Sequence, residues 1–426
     1  MKIGIIGSGY VGLPLAIAFA KYHPVVCFDI NINRIKELKK GIDLNKQHSK
    51  KEVLQKKLIY TFDSSSLKKI DIFIITVPTP IKKSNQPDLS MLKQASLLVG
   101  KYINKKSIVI YESTTYPGCT EEFCIPILEK ISKLKWKKDF NIAYSPERVN
   151  PGDKKNTLKS ITKIVGANDL KTLKKVSKLY KIIVKSVYLA KSIKIAESAK
   201  VIENIQRDVN IALVNELSVL FNKLDIPTNE VLKAAATKWN FHYYKPGLVG
   251  GHCISVDPYY LAYKAKQNNY FPQLILSGRR FNEGMGKYIA NKTINLLSKN
   301  KVNINKAKVA ILGFSFKENI RDIRNTKVIQ IIKNLKNRSV NVEVFDPIVS
   351  KLEVKQKFKT KIHDFVDIKK KKYDAIILAV SHNDFLKKLN FYDKFYKNKK
   401  NKIFIDLKNN YSIYDLKDNN FKFFQL

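Results

Sequence analysis

In the first third of the chain, short apolar runs at 2–6, 25–30, 72–77 and 108–112 alternate with longer stretches whose apolar positions recur at helical spacing. Runs this short and this continuously apolar predict strands buried on both faces, and their alternation with helices predicts a parallel sheet covered on both sides. From about Ser192 the period changes. Ile195, Ala199, Ile202, Ile205, Val209, Ala212, Leu213, Leu217 and Leu220 follow a helical repeat until Pro227 interrupts it, which predicts one unusually long helix. Strand-like runs return at 308–312, 340–345, 375–380 and 402–406. The pattern predicts an α/β chain in three parts: a sheet domain over 1–191, a central helical domain over 192–300 with the long connecting helix, and a second sheet domain over 301–426.

The turn after the first strand changes this from a fold to a site. Gly7-Ser8-Gly9-Tyr10-Val11-Gly12 opens a helix through Leu13-Pro14-Leu15-Ala16, where proline fits because first-turn amides have no helical partner. The second strand ends in Asp29, about twenty residues on, the spacing at which a carboxylate grips ribose hydroxyls in a Rossmann unit. Gly7, Gly9 and Gly12, with Tyr10 and Val11 in the same turn, let the backbone approach a pyrophosphate at the positive end of the helix. An acid at Asp29 repels a 2′-phosphate, so NAD is expected over NADP, although Arg34 just beyond that strand could accept such a phosphate. Thr79, in Val77-Pro78-Thr79-Pro80 at a strand's carboxyl end, is placed to line the cofactor crevice. The second sheet echoes the first, with Ala310-Ile311-Leu312 running into Gly313, without repeating the glycine motif. Both sheet domains therefore read as Rossmann-like.

Composition adds a puzzle: Lys plus Arg number 79 against 36 Asp plus Glu, a net charge of +43 over 426 residues. Such a surplus attracts phosphates of any kind. The lysines recur along nearly the whole chain, and no zinc spacing or aromatic-plus-basic signature accompanies them. The charge therefore reads as a bias spread over solvated faces, with a phosphate-bearing substrate and no specific nucleic acid. No stretch approaches a membrane span and no charged leader with a cleavage site opens the chain, so a cytoplasmic protein without membrane insertion is expected. Cys27, Cys119, Cys124 and Cys253 are scattered without metal-ligand spacing; they predict thiols acting singly, no disulfide framework and no metal site.

Of these thiols, Cys253 stands out. It lies in the glycine-rich segment Gly247-Leu248-Val249-Gly250-Gly251-His252-Cys253, with Asp257 four residues on. A lone cysteine is ordinarily an inert core residue, but glycines on this scale let a substrate come close. Lys200 and Asn204 are four apart on the long helix and can converge on one oxygen, although that spacing equally fits a solvated face. Glu147, after Ser145-Pro146, reads as a turn residue or as a base for water.

Taken together these segments resemble the UDP-glucose/GDP-mannose dehydrogenase family over essentially the whole chain. The resemblance rests on Ser113-Thr114 followed by Pro117-Gly118, Ser145-Pro146-Glu147-Arg148, Lys200 with Asn204, the Gly-Gly-His-Cys loop, and Lys317 with Asp322 and Arg324, all in family order. Within it, the stretch from Lys245-Pro246 to Cys253 is most similar to the bacterial UDP-N-acetylhexosamine branch. The resemblance implies an NAD-dependent four-electron oxidation of the C6 hydroxyl of a UDP-N-acetylhexosamine, the gluco or galacto sugar, to the uronic acid for a surface polysaccharide such as capsule or O-antigen. It implies a thiohemiacetal and then a thioester on Cys253, with Lys200 and Asn204 stabilising the oxyanion and Lys200 also moving the proton. Glu147 and Asp257 would act on the hydrolytic water, and Thr114 would hold that water or contact the nicotinamide.

Substrate contacts implied in the same way are Glu147, Arg148, Val149, Lys200, Asn204, Arg207, Gly250, Arg279 and Lys317, with Arg324 at the cofactor boundary; His252 would be structural or face the acyl group. A homodimer through the long helix is implied as well. Two departures blur the choice of sugar. No clear equivalent of an arginine lent by the partner subunit stands near Lys238-Trp239-Asn240-Phe241-His242, and Ser255 replaces an expected glycine. UDP-glucose and UDP-N-acetylmannosamine remain alternative substrates. A nucleic-acid-binding protein that retains a Rossmann domain and a catalytically silent NAD-binding scaffold remain alternatives of another class.

Overall fold

The computed structural model describes residues 1–45, 47–148, 157–251 and 253–426. They group into two compact units, one of Met1–Asn204 with Tyr259–Phe271, the other of Ile205–Pro258 with Pro272–Leu426.

The first unit is built on an eight-stranded sheet of β1 (Ile3–Ile6), β2 (Val25–Phe28), β3 (Leu58–Thr61), β4 (Ile72–Ile75), β5 (Ile108–Tyr111), β6 (Asn141–Tyr144), β7 (Thr162–Ala167) and β8 (Ser186–Ala190), in the order β3-β2-β1-β4-β5-β6-β7-β8. The order reverses at β1, flanked by β2 and β4, which opens a crevice at the carboxyl ends of those strands. Strands β1, β2, β4 and β5 are buried along their whole length, as continuous apolar runs in a two-sided parallel sheet must be. One step departs from the parallel pattern expected: β6 and β7 pair antiparallel, through Ala143 with Ala167 and Tyr144 with Gly166. Helix α1 (Gly12–Ala20) follows β1, α2 (Leu170–Lys181) follows β7, and α3 (Ile193–Phe221) is the long helix read from the sequence. The division between units falls within α3. Helix α4 (Asp257–Gln267) returns its residues from Tyr259 onward to the first unit.

The second unit carries α5 (Gln273–Lys299) and a six-stranded, wholly parallel sheet of β9 (Lys308–Leu312), β10 (Asn341–Phe345), β11 (Ile362–His363), β12 (Ala375–Leu378), β13 (Lys402–Asp406) and β14 (Phe421–Gln425), ordered β11-β10-β9-β12-β13-β14, with α6 (Val328–Lys336) between β9 and β10. It is the same order, strand for strand, as the first six strands of the other sheet. The two α/β sheets and the helices between them in sequence are the architecture the periodicity predicts.

Candidate active site

At the end of β1 the backbone turns at Gly7, whose φ of +103° suits glycine alone. Thr76, after β4, donates its hydroxyl to the carbonyls of Ile6 and Gly7 at 3.0 Å each. A methyl at Gly12 would lie 1.9 Å from the Gly7 carbonyl oxygen, so this glycine lets the helix sit against the strand; a methyl at Gly9 would meet nothing within 4 Å. That open space beside the amino end of α1 is what a pyrophosphate needs. Asp29 accepts the Ser8 amide and hydroxyl at 2.7 Å each and the Asn31 amide at 2.9 Å, which orients its carboxylate at the crevice with acceptor capacity left for a ribose.

Arg34, the residue that could have favoured NADP, is engaged elsewhere. Its Nη2 pairs with the buried Asp43 at 2.8 Å, and Nε and Nη2 also reach the Ser8 carbonyl at 3.4 Å. Burial pushes the Asp43 carboxyl up, but Arg34 and the amides of Gln47 and Asn45 hold it below its ordinary value. The cradle therefore fits NAD. Tyr10 and Val11 sit half-buried in the turn, and Thr79 donates its hydroxyl to the Thr114 carbonyl at 2.7 Å, tying the chain after β4 to the chain after β5. Tyr260, on α4, closes the same corner by donating to the carbonyls of Thr79 and Pro80 at 3.0 and 3.3 Å.

Behind Thr114 lies a group of buried charges. Lys163 on β7 is wholly inaccessible, with Nζ 2.6 Å from Glu112 and 3.5 Å from Glu147. Tyr180 on α2 donates its hydroxyl to the other Glu112 oxygen. Burial pushes Glu112 up to about 7 against the pull of Lys163. The Lys163 ammonium, drawn down by burial, is held above its ordinary value by Glu112 and Glu147. Arg148, next to Glu147, pairs with Glu203 of α3 at 2.9 Å and donates to the Thr162 carbonyl at 2.8 Å.

Lys200 and Asn204, at 7% and 9% exposure, share a face of α3. One turn earlier, Glu197 accepts bonds from the Gly118 amide and from both the amide and hydroxyl of Thr120, at 2.5 to 2.9 Å. The helix that carries Lys200 is thereby fixed to the loop that follows Thr114.

In the second unit, Cys253 is partly exposed and its carbonyl accepts the amides of Val256 and Asp257 at 2.9 and 2.8 Å, a turn that leads into α4 with Asp257 buried at its start. The loop before it packs without room for side chains: a methyl at Gly250 would meet the Asn325 carbonyl oxygen at 2.8 Å, and one at Gly251 the Phe316 ring at 3.0 Å. Asn325 also donates to the Gly251 carbonyl at 2.9 Å, and Ser255 at 2.6 Å. The segment after β9 thus seats the cysteine loop. Beside it a small open depression is lined by Leu248, Gly250, Phe316, Glu318, Thr326 and Lys408. Lys317 is half-buried nearby in sequence, and Arg324 makes a two-pronged contact with Asp322.

Two expected substrate contacts differ in setting. Arg207 is exposed, whereas Arg279 is 1% exposed and pairs with Asp208 at 2.6 Å and with Glu283. Asn282 donates to Asp208 at 2.8 Å and accepts from Asn215, which also clasps both backbone groups of Gly247. Arg279 is thus a strut from α5 to α3 that steadies the base of the cysteine loop. Val149 and His252 lie outside the described residues. Glu112, Lys163, Glu197 and Asp208 were not singled out from the sequence; the one signal for them was a lysine inside an otherwise apolar strand.

Among the described residues no cluster of side chains could hold a metal ion, and no helix is long and apolar enough to cross a membrane. Comparison with known proteins identifies the family. Residues 1–184 match the NAD binding domain of the UDP-glucose/GDP-mannose dehydrogenase family, 194–284 its central domain and 310–413 its UDP binding domain. The chain is 51% identical over 387 residues to protein CapL of Staphylococcus aureus, covering 90% of this chain and 91% of that one. It is 48% identical, with the same coverage, to UDP-N-acetyl-D-glucosamine 6-dehydrogenase of Salmonella typhi. Among solved structures, UDP-D-ManNAc dehydrogenase of Pyrococcus horikoshii superposes with a TM-score of 0.89 at 33% identity, over 100% of this chain and 99% of that one.

Proposed function

Because the chain belongs to the UDP-glucose/GDP-mannose dehydrogenase family and is an NAD-dependent UDP-sugar dehydrogenase, we propose that it oxidises C6 of UDP-N-acetylglucosamine to the carboxylate, in a route to surface polysaccharide. The observation that carries the choice of sugar is the 48% identity to an enzyme named for that substrate, against 34% to one named for the manno sugar. UDP-N-acetylgalactosamine, UDP-glucose and UDP-N-acetylmannosamine are the competing substrates. NADH absorbance with a panel of these UDP-sugars tests the reading: preference for UDP-N-acetylglucosamine with two NADH per sugar is expected, and preference for another sugar overturns it.

NAD held at the Gly7–Gly12 turn and Asp29 would supply the hydride acceptor for both oxidations at C6. Lys200 takes the hydroxyl proton, and its ammonium with the Asn204 amide stabilises the alkoxide that forms. The Cys253 thiolate adds to the aldehyde carbon, so a C–S bond forms and the carbonyl π bond breaks; the oxygen takes the proton back from the Lys200 ammonium and becomes the hydroxyl of a thiohemiacetal with a hydride again available. Loss of that hydride and the hydroxyl proton leaves a thioester. Water, oriented by Thr114 and deprotonated by Glu147 with Asp257, adds to the thioester; the C–S bond breaks, the thiolate departs and the carboxylate remains. Lys317, Arg148 and Arg207 serve the diphosphate, with the backbone at Gly250; Arg324 lies at the cofactor boundary. Arg279, buried in its pair with Asp208, is left out of that set. Cys253→Ser abolishes acid formation in this scheme; a variant that still forms uronic acid at the wild-type rate rules out the covalent route.

We infer a homodimer through α3, supported by its exposed Leu213 and Leu220, at 54% and 47%, which sedimentation of the purified chain tests.

A further inference from the structure

A lysine wholly removed from solvent is expensive: even after relaxation the penalty is several kcal/mol per ion unless a partner compensates. Lys163 lies in β7 beside Ile164 and Val165, where an apolar side chain would serve the sheet at no such penalty. Glu112 at 2.6 Å already supplies the partner a buried ammonium requires. Yet Nζ also reaches Glu147 at 3.5 Å, the one member of the cluster with access to solvent, at 14% side-chain exposure. Around it the fit is close. The ammonium stands 5.4 Å from the centre of the Tyr180 ring, and the Tyr180 hydroxyl occupies the Glu112 oxygen that Lys163 does not.

Glu147 is thereby gripped at both oxygens. The Arg148 amide donates to Oε1 at 2.7 Å and Lys163 reaches Oε2. The neighbouring residue of the same strand, Thr162, accepts the Arg148 guanidinium through its carbonyl. Two consecutive residues of β7 thus fasten the two consecutive residues of the Glu147-Arg148 turn, one by a side chain from within and one by a backbone group at the edge.

We propose that Lys163, anchored from behind by Glu112 and Tyr180, is a positioning residue that holds the Glu147 carboxylate in its working orientation for thioester hydrolysis. The inference rests on the hydrolytic role given to Glu147 above. Glu112 and Glu147 together hold the Lys163 ammonium above its ordinary value against its burial, so the charge that faces Glu147 is kept near neutral pH. Lys163 touches neither sugar nor cofactor in this scheme, so its loss acts on the last step and spares binding.

The test uses the full chain turning over UDP-N-acetylglucosamine with NAD, reading kcat, KM and the mass of the intact enzyme during turnover. Lys163→Met is expected to lower kcat by about ten- to a hundredfold, a part of the ~10²–10⁴ that a positioned base contributes. KM for the sugar should fall together with kcat, leaving kcat/KM within about twofold, because the slowed step comes after the sugar is committed as the acyl-enzyme, and the enzyme should accumulate the sugar acyl group on Cys253. Where Lys163→Met alone does not fold, the pair Glu112→Gln with Lys163→Met removes both buried charges together and should show the same kcat loss and the same adduct. Wild-type kcat in a folded variant overturns the proposal, and so does a fall in kcat without the adduct, which is the signature of structural damage. Glu147→Gln separates the two readings: if it turns over normally the role of Glu147 fails, whereas if it stalls as the acyl-enzyme while the Lys163 variants do not, only the role of Lys163 fails.

Discussion

Two glycines three residues apart in the cofactor turn should respond to the same substitution in opposite ways. An alanine methyl at Gly12 would lie 1.9 Å from the Gly7 carbonyl oxygen and 2.5 Å from the Thr76 hydroxyl, an ångström or more inside ordinary contact at about 3.5 Å. Neither atom can yield cheaply. The carbonyl belongs to a backbone turn at positive φ, and the hydroxyl is committed to the carbonyls of Ile6 and Gly7. Overpacking of this kind costs typically about 1–3 kcal/mol, and backbone against backbone puts Gly12→Ala at about 3. In a unit of roughly 200 residues that lowers the melting temperature by about 6–12 °C. At Gly9 the methyl meets nothing within 4 Å, so Gly9→Ala should fold normally or gain about 0.4–1 kcal/mol from a stiffer unfolded chain. Its methyl instead takes the space a pyrophosphate would use, and NAD affinity should fall by about tenfold or more, equivalent to ~1.4 kcal/mol. Thermal melts without cofactor, paired with NAD titrations by calorimetry, read both effects. A Gly12→Ala variant that melts like wild type, or a Gly9→Ala variant that binds NAD as tightly as wild type, refutes the reasoning.

Arg279→Ala leaves Asp208 buried without its ion-pair partner in a contact 1% and 0% exposed, and should lose about 3–5 kcal/mol in urea unfolding; a loss below ~1 kcal/mol means that the strut is not holding. Arg279→Met with Asp208→Asn, which removes both charges, should recover most of that stability. Stability of the first unit should fall with rising pH where Glu112 titrates. Its folded value is raised from 4.5 to about 7, so the folded state holds that proton more tightly than the unfolded one. The contribution is complete below about 4.5, declines up to about 7 and is gone above, for up to ~3 kcal/mol in all. Urea unfolding at acid and alkaline pH checks the slope, and a Glu112→Gln variant with an unchanged slope would assign it to other groups.

The parts of the fold legible in the sequence are those where burial and backbone preference act together. β1, β4 and, after Lys308, β9 are unbroken apolar runs, and the repeat from Ile195 to Leu220 announces a helix found at Ile193–Phe221. β7 is hidden in the pattern because Lys163 interrupts it, and β8 because Tyr188 and Leu189 are exposed; β11 is two residues long, too short for any period. The glycine turn, Asp29 and the cysteine loop were legible because their chemistry is local. The buried charges were not, since Lys163 meets Glu112 across 51 positions, and one interior lysine is invisible in a chain with 79 basic residues. Arg279 illustrates the converse. Arginine's rarity in so lysine-rich a chain suggested a ligand for phosphate, but the planar fork that suits a diphosphate equally suits a buried carboxylate pair.

The first unit is interrupted. Tyr259–Phe271 belongs to it although residues 205–258 come between, and Tyr260 supplies the hydroxyl that ties down Thr79 and Pro80 at the cofactor crevice. A ribosome adding about 5–20 residues per second takes roughly 3–11 s to cross that interval. During this time the eight strands are already synthesised while one wall of the crevice is still missing. The nascent chain therefore passes through a stage in which all eight strands are synthesised while the Tyr260 tether on Thr79 and Pro80 is still missing.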